Sequence, residues 1–228
     1  MRGRRGSEKP EWEQALDSLY RSGPERAMVR VSQARLRRRL REPQAEVFYD
    51  VIGRSPVGPV YLAAGERGLV AVGLAADERS FVRRLTRSTG TVPVRSPERL
   101  RDAHRQLRDS LSGKRASLDL RIDLRGTTPF QRSVLEAARQ IPRGTVLSYG
   151  DLAVRLRRPH AGRAVGQALA HNPLPILIPC HRVVSQGGEL RGYLGDRIGL
   201  KARLLALEGV PMRGNRCLAL SGRSAGMR

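Results

Sequence analysis

Cysteine, lysine and aromatic residues are all scarce in this chain of 228 residues. Its two cysteines form neither a Cys-x-x-Cys pair nor a spaced Cys/His pattern, which argues against a disulfide framework and a zinc site. No apolar run approaches the length of a membrane span, and the basic N-terminus lacks the apolar segment of a signal peptide. We therefore expect a protein of the reducing cytoplasm with no membrane association.

Acidic residues are few compared with basic ones. The chain has 43 Lys and Arg against 21 Asp and Glu, a formal net charge of +22 at pH 7. Lysine occurs only as Lys9, Lys114 and Lys201, so arginine supplies nearly all of the positive charge. The excess favours an anionic partner, most simply nucleic acid, without locating the surface that binds it. A generally basic surface explains the composition equally well.

Strand and helix signals over residues 46–125 predict a small α+β domain. Ser96 is the expected N-cap of its second helix. A basic helical extension over residues 1–45 precedes it, and the sequence does not indicate the role of that extension. The predicted elements, in chain order, are strands over 47–53, 58–64 and 68–74, helices over 78–86 and 97–111, and a half-buried strand over 118–124.

A helical domain is predicted over residues 126–212. Thr128, followed by proline, is a typical start of its first helix. Two short helices, over 148–156 and 161–170, flank a tight turn, which is typical of a helix-turn-helix whose second helix enters a DNA groove. Small residues on that helix allow close approach of either DNA or a neighbouring helix. We expect the basic tail over 213–228 to be disordered.

One cysteine lies in the sequence PCHRV at residues 179–183, directly before a histidine. A thiol becomes nucleophilic when a base or a positive charge stabilises its thiolate. Such a Cys–His pair usually needs a third group to orient the imidazole, and Glu208, at the end of an apolar-periodic helix, is the candidate. A negative charge at a helix C-terminus is unfavourable, which is a sign of function. These features predict Cys180 as a nucleophile with His181 as its base, whereas Cys217 has no such neighbours.

The PCHRV segment resembles the active-site motif of the O6-alkylguanine-DNA alkyltransferases, which repair DNA by accepting an alkyl group on a cysteine. The likeness covers about residues 47–210. The resemblance implies an α+β fold with an N-terminal ribonuclease H-like domain, followed by a helical DNA-binding domain that carries the helix-turn-helix and the active-site loop. Its other strong parts are Phe130-Gln131, Ser148-Tyr149, Arg163-Ala164-Val165-Gly166, Asn172-Pro173 and Leu207-Glu208-Gly209.

The resemblance also implies a mechanism. The target guanine is flipped out of the duplex into a pocket, and Cys180 attacks its alkyl carbon as a thiolate. His181 accepts the thiol proton through a water molecule, Glu208 orients His181, and Asn172 ties the recognition helix to the active-site loop. The thioether has no good leaving group, so each molecule acts once, as a methylated-DNA–protein-cysteine methyltransferase. No cofactor and no metal are expected.

Contacts with DNA and with the base are implied by the same resemblance. Arg163 enters the duplex in place of the flipped base, and Tyr149 helps to rotate the phosphate and donates towards the guanine. Leu194 stands where the family often has a small residue. The recognition helix further contributes Ala164 and Gly166, and the pocket is lined by Pro175, Val183, Tyr193 and Leu194. The expected partner is double-stranded DNA containing O6-alkylguanine, and we expect a monomer.

Two other functions fit some of these residues. A non-catalytic helix-turn-helix protein that binds alkylated DNA would share the fold but would have no use for Cys180. A Cys–His–Glu hydrolase would use the same side chains, but it would need an oxyanion hole and would turn over many times. A single stoichiometric transfer distinguishes repair from both.

Overall fold

The computed structural model describes residues 46–74, 77–115 and 117–218. The predicted extension over residues 1–45 lies outside the described residues. The described residues belong to one compact unit. None of the helices in these ranges is long and apolar enough to cross a membrane.

The N-terminal half is a four-stranded sheet with two helices, in the strand order β3-β2-β1-β4. The first three strands pair antiparallel, and β4 pairs parallel with β1. The three predicted strands and the first predicted helix are confirmed. The elements are β1 (Phe48–Ile52), β2 (Val60–Gly65), β3 (Gly68–Leu74), α1 (Glu78–Thr89), β4 (Val94–Arg95) and α2 (Arg101–Leu111).

The predicted start of the second helix is wrong. This helix, α2, begins at Arg101 rather than at Pro97, and residues 97–100 form turns. The Ser96 hydroxyl donates to the Glu98 carboxylate instead of accepting a backbone N–H of the helix. A cap motif therefore formed a local turn and not a helix start.

The strand predicted over 118–124 is also wrong. This segment is irregular and forms one bridge to β3, between Ile122 and Leu69. The Leu69 N–H donates to the Arg121 carbonyl, and the Asp123 N–H donates to the Leu69 carbonyl, both at 2.8 Å. The apolar side chains still alternate inward, so the burial pattern was predicted correctly although the ladder was not.

The C-terminal half is mainly helical, and local capping sets where its helices begin. The Thr128 side chain accepts the Gln131 N–H, and Ser148 and Asp151 form a capping box. The predicted helix-turn-helix is present as α4 and α5. The elements are α3 (Pro129–Arg139), β5 (Leu147–Ser148), α4 (Tyr149–Arg155), α5 (Gly162–Ala170), a 3-10 helix (Cys180–Arg182), β6 (Val183–Val184) and α6 (Ile198–Leu207).

The two halves share one hydrophobic core, which gives the predicted α+β architecture. Strand β5 pairs in parallel with β6, with Leu147 opposite Val183. This pairing brings the start of α4, and with it Tyr149, next to the strand that follows Cys180. Buried members of the core come from both halves and include Leu62, Val72, Leu107, Leu135, Leu152 and Ile178.

The prediction of a disordered tail is wrong for its first residues, which form a hairpin. Its strands are β7 (Met212–Arg213) and β8 (Arg216–Cys217). The Cys217 N–H donates to the Gly188 carbonyl at 2.9 Å, and the Leu190 N–H donates to the Asn215 carbonyl at 2.8 Å. Cys217 is buried against Val184 and its neighbours. The basic composition of the tail concealed the apolar residues that fix this hairpin to the segment 184–190.

Gly188→Ala tests this packing. Gly188 has a φ of +85°, and an added Cβ would lie 2.5 Å from the Cys217 carbonyl oxygen. We expect the free energy of unfolding to fall by about 1–3 kcal/mol, measured by urea denaturation.

Gly187→Ala is the matched control. Its Cβ would meet only the end of the Glu189 side chain, which is flexible, and Gly187 has no left-handed φ. We expect a change below about 1 kcal/mol. Equal losses in both variants would contradict the described contact between hairpin and loop.

Candidate active site

Cys180 is the first residue of the 3-10 helix that follows Pro179. A run of buried residues leads the chain to this point, and Cys180 itself is only 5% exposed. Burial raises the pKa of its thiol, while a hydrogen bond from Asn172 and the charge of Lys201 act in the opposite direction. Since the net pKa is raised, the resting thiol is protonated at neutral pH and must lose its proton to become a nucleophile.

His181 directly follows this cysteine, and its ring contacts a buried carboxylate. Its Nε2 is 3.0 Å from Oε1 of Glu208, the residue that ends α6. Arg182 also binds Glu208, with Nε 2.8 Å from Oε2 and Nη2 2.7 Å from Oε1. Burial alone would raise the pKa of the Glu208 carboxyl, but the hydrogen bonds from His181 and Arg182 lower it to about 2. Glu208 is therefore ionised at neutral pH.

The ionised carboxylate fixes the tautomer of His181. A carboxylate only accepts hydrogen bonds, so Nε2 must carry the hydrogen and Nδ1 keeps its lone pair. Burial lowers the pKa of the imidazole, and it does so against the opposing effect of Glu208. The resting ring is thus neutral, with Nδ1 able to accept a proton.

Nearby cations stabilise the Glu208 carboxylate, whose negative charge is otherwise unfavourable at the C-terminus of α6. Arg182 pairs with its carboxylate, and Nη2 of Arg143 donates to the Leu207 carbonyl at 2.5 Å. Positive charge at this end of α6 offsets both the carboxylate and the helix dipole. The ionised form of Glu208 is therefore stabilised at this helix end.

Asn172 connects the end of α5 to the cysteine. Its Nδ2 donates to the Ile178 carbonyl at 2.9 Å and to Cys180 Sγ at 3.1 Å, and its Oδ1 accepts the Leu174 N–H at 2.9 Å. Between these contacts Ile176 has a φ of +75°, which for a β-branched residue costs roughly 1–3 kcal/mol. Asn172 therefore holds both ends of a strained turn directly before the thiol.

Lys201 is a fully buried cation beside the active-site loop. Its Nζ donates to the Val183 carbonyl at 2.6 Å and to the Arg191 carbonyl at 3.1 Å. These bonds join the two ends of loop 183–191. Burial lowers the pKa of Lys201 to about 8, while Cys180 and Cys217 act to raise it. The ammonium thus supplies positive charge near the thiol.

Tyr149 and Tyr193 lie close enough to Cys180 for its charge to act on their phenols. Burial and then the proximity of Cys180 raise the pKa of both Tyr149 and Tyr193, so both phenols stay protonated. The Tyr193 ring stands edge-on to His181, with ring centroids 6.4 Å apart. Leu194 adopts a left-handed φ of 45°, a backbone conformation that favours glycine over leucine. Pro175 is buried and forms a bridge with Ile178.

The predicted DNA-contacting residues other than Tyr149 lie elsewhere, on α5. Arg163 and Ala164 are exposed, and the structure does not bring them to Cys180. Gly166 faces Tyr149, but an added Cβ would be 3.8 Å from the ring, an ordinary contact. Packing against Tyr149 therefore does not require glycine here.

Sequence reasoning missed two residues that bind groups of this site, Arg182 and Lys201. Arg182 was visible within PCHRV, but its partner Glu208 is distant in sequence. Lys201 had a clear signal, because it precedes Leu204 and Leu205 on the inward face of an apolar helix. A lysine at such a position, in a chain with three lysines, indicates a buried charge with specific partners.

Among the residues that the structure describes, no group of three or more His, Cys, Asp or Glu side chains could hold a metal ion. The polar groups around Cys180 are bonded mainly to one another and to backbone carbonyls. Such an arrangement is suited to moving a proton and stabilising a thiolate.

Comparison with known families matches nearly all of the described chain. The family model of the 6-O-methylguanine DNA methyltransferase ribonuclease-like domain matches residues 47–124. The model of the DNA-binding domain of the same family matches residues 129–210.

Two curated relatives are named methylated-DNA–protein-cysteine methyltransferase. A Methanosarcina acetivorans protein of this name is 38% identical over 165 residues, which are 71% of this chain and 99% of the relative. The constitutive protein of Bacillus subtilis is 34% identical over 160 residues, 70% of this chain and 94% of the relative.

Solved structures give the same family. The Mycobacterium tuberculosis O6-methylguanine methyltransferase is 36% identical, with a TM-score of 0.61 over 71% of this chain and 92% of that one. A complex of the mycobacterial protein with DNA has a TM-score of 0.59 over the same shares of the two chains, at 36% identity.

The buried charge of Lys201 should be visible in the pH dependence of stability. Its pKa is about 8 in the folded protein, against an ordinary value of 10.5, so the unfolded chain binds this proton more tightly. The buried charge therefore lowers the free energy of unfolding by its full amount below pH 8, and this destabilisation disappears as the pH rises to about 10.5. The wild type should therefore gain up to about 3 kcal/mol relative to Lys201→Met over this range.

Urea denaturation between pH 7 and 10.5 measures this difference. Lys114→Met is the matched control, since Lys114 is exposed and the variant should follow the wild-type curve. Parallel curves for wild type and Lys201→Met would show that the folded protein does not shift this pKa.

Proposed function

The chain belongs to the family of 6-O-methylguanine DNA methyltransferases, and on that premise we propose that it repairs DNA by transferring the alkyl group of O6-alkylguanine to Cys180. The observation that carries the assignment to this residue is the buried contact of His181 with Glu208, beside a thiol held by Asn172. A protein that only binds alkylated DNA has no need of these bonds.

The reaction exchanges one bond to the alkyl carbon for another. The Cys180 proton leaves the sulfur for His181 Nδ1, and the thiolate attacks the alkyl carbon. A C–S bond forms as the C–O6 bond breaks, and the electron pair of that bond remains on the guanine oxygen. Tyr149 donates its proton to the leaving guanine, which returns to its normal form, and the proton held by His181 replaces the one that Tyr149 has lost. Nothing else is consumed.

Local charge favours the thiolate. The Glu208 carboxylate is balanced by Arg182, so Lys201 adds an uncompensated positive charge near Cys180. In a buried site such a charge acts through a low dielectric and is strongly felt. Glu208 in turn stabilises the imidazolium that forms when His181 takes the proton.

The transfer occurs once per molecule. Cys180 becomes a thioether, which is a poor leaving group, and no group in the mechanism regenerates the thiol. We propose that Pro175, Tyr193 and Leu194 enclose the flipped base, with the Val183 carbonyl facing its edge.

DNA binding is assigned to the helix-turn-helix of a domain over 126–212, which follows the α+β domain over 46–125. Arg163 and Ala164 are exposed on α5, which supports a groove-facing role for that helix, with Gly166 on the same helix. Arg163 would occupy the space of the flipped base. We further propose action as a monomer in the cytoplasm, where a reducing environment keeps the acceptor thiol free.

Cys180→Ser should abolish repair of a duplex containing one O6-methylguanine, measured as loss of the lesion by chromatography of the digested DNA. Cys217→Ser is the matched control: it replaces the other buried cysteine, and we expect repair at the wild-type stoichiometry. Duplex binding by wild type without any loss of lesion would favour a non-catalytic binder. Residual repair by Cys180→Ser would show that Cys180 is not the nucleophile.

Arg163→Ala separates flipping from chemistry. We expect repair in duplex DNA to slow by about 10- to 100-fold, since unstacking a base costs a few kcal/mol. Reaction with free O6-benzylguanine, which needs no flipping, should stay within about twofold of wild type. Equal losses with both substrates would contradict the flipping role.

A further inference from the structure

Two buried polar atoms beside the thiol lack a hydrogen-bond partner within the described residues. They are Nδ1 of His181 and the hydroxyl oxygen of Tyr193. The two residues are 0% and 4% exposed, so bulk water does not reach them freely. Buried polar atoms of this kind are normally satisfied by a bound water.

Both atoms belong to the surroundings of Cys180. The two rings meet edge-on at 89°, with centroids 6.4 Å apart. Cys180 and Tyr193 lie in the same buried cluster. Burial, and then the charges of Cys180 and Glu208, raise the pKa of the Tyr193 phenol. Nδ1 is the ring nitrogen that Glu208 leaves free.

We propose that Tyr193 is a positioning residue whose hydroxyl, together with His181 Nδ1, holds the water through which the Cys180 proton leaves. The water accepts the proton of Cys180 and the hydrogen bond of Tyr193, and it donates its own proton to Nδ1. One S–H bond breaks, one N–H bond forms, and the water is unchanged. The inference rests on the proposed function and adds a member to its proton path.

The other groups near the thiol are already engaged. Tyr149 directs its hydroxyl at the Arg191 carbonyl, 3.5 Å away. Lys201 donates to the Val183 and Arg191 carbonyls. Arg182 is bound to Glu208 and to the Ile141 carbonyl. Among these neighbours in the described part of the chain, it is the Tyr193 hydroxyl that has no hydrogen-bond partner and can bind a water.

The test is the pH–rate profile of Cys180 alkylation by free O6-benzylguanine, for wild type and Tyr193→Phe. Loss of one hydrogen bond should slow the reaction about tenfold at pH 7. The rising limb should move to higher pH by about one unit, and the two rates should converge where the thiol ionises without help. Tyr61→Phe is the control: Tyr61 is buried at 7% exposure in β2, stacked on Phe81, and should follow wild type.

Unfolding gives a second readout that does not depend on chemistry. If the Tyr193 hydroxyl holds a water, Tyr193→Phe should lower the midpoint of urea unfolding. A raised midpoint would show that the hydroxyl had no partner and would overturn the proposal.

A rate reduced equally at every pH would assign Tyr193 to packing alone, and an unchanged profile would remove it from the proton path. Either result overturns the inference while wild type still repairs DNA. If wild type repairs no O6-methylguanine in a duplex, the proposed function itself has failed.

Discussion

The Glu208 carboxylate is the acceptor on which the geometry of the active site depends. It receives Arg182 through two nitrogens and His181 through one, and all three side chains are nearly inaccessible. A buried carboxylate is tolerated only when it is paired, so each partner is also required by the others. The same contact orients the imidazole and fixes which nitrogen carries its proton. Folding and reactivity thus rest on one set of bonds.

The turn before Cys180 and the loop 183–191 after it are held by three sets of hydrogen bonds before any substrate arrives. Asn172 binds the turn before Cys180, Lys201 joins the carbonyls of Val183 and Arg191, and the C-terminal hairpin bonds to Gly188. A reaction that occurs once per molecule gains nothing from repeated opening and closing. A preorganised loop places the thiol and its neighbours where charge develops, without reorganisation during the transfer.

Most features decided by neighbouring residues were predictable from the sequence, although the Ser96 cap motif formed a turn instead of a helix start. Thr128 and Ser148 start helices because their caps close within three residues, and PCHRV indicates the nucleophile with its base. Features that depend on partners distant in the sequence were not predictable. The segment 118–124 has the pattern of a strand but meets β3 at one bridge. Lys201 stands out in the sequence as a lysine on an apolar helix face, but its role is visible only when the carbonyls that it binds are known. The sequence predicted which residues are buried more accurately than it predicted their hydrogen-bond partners.

The central claim is that Cys180 accepts one alkyl group from DNA. Intact mass spectrometry after incubation with a duplex containing one O6-methylguanine, followed by peptide mapping, tests it most directly. The account predicts the addition of a single methyl group, located on Cys180 and saturating at one per chain. A protein that binds the duplex but gains no mass, or that gains it on another residue, would contradict the account.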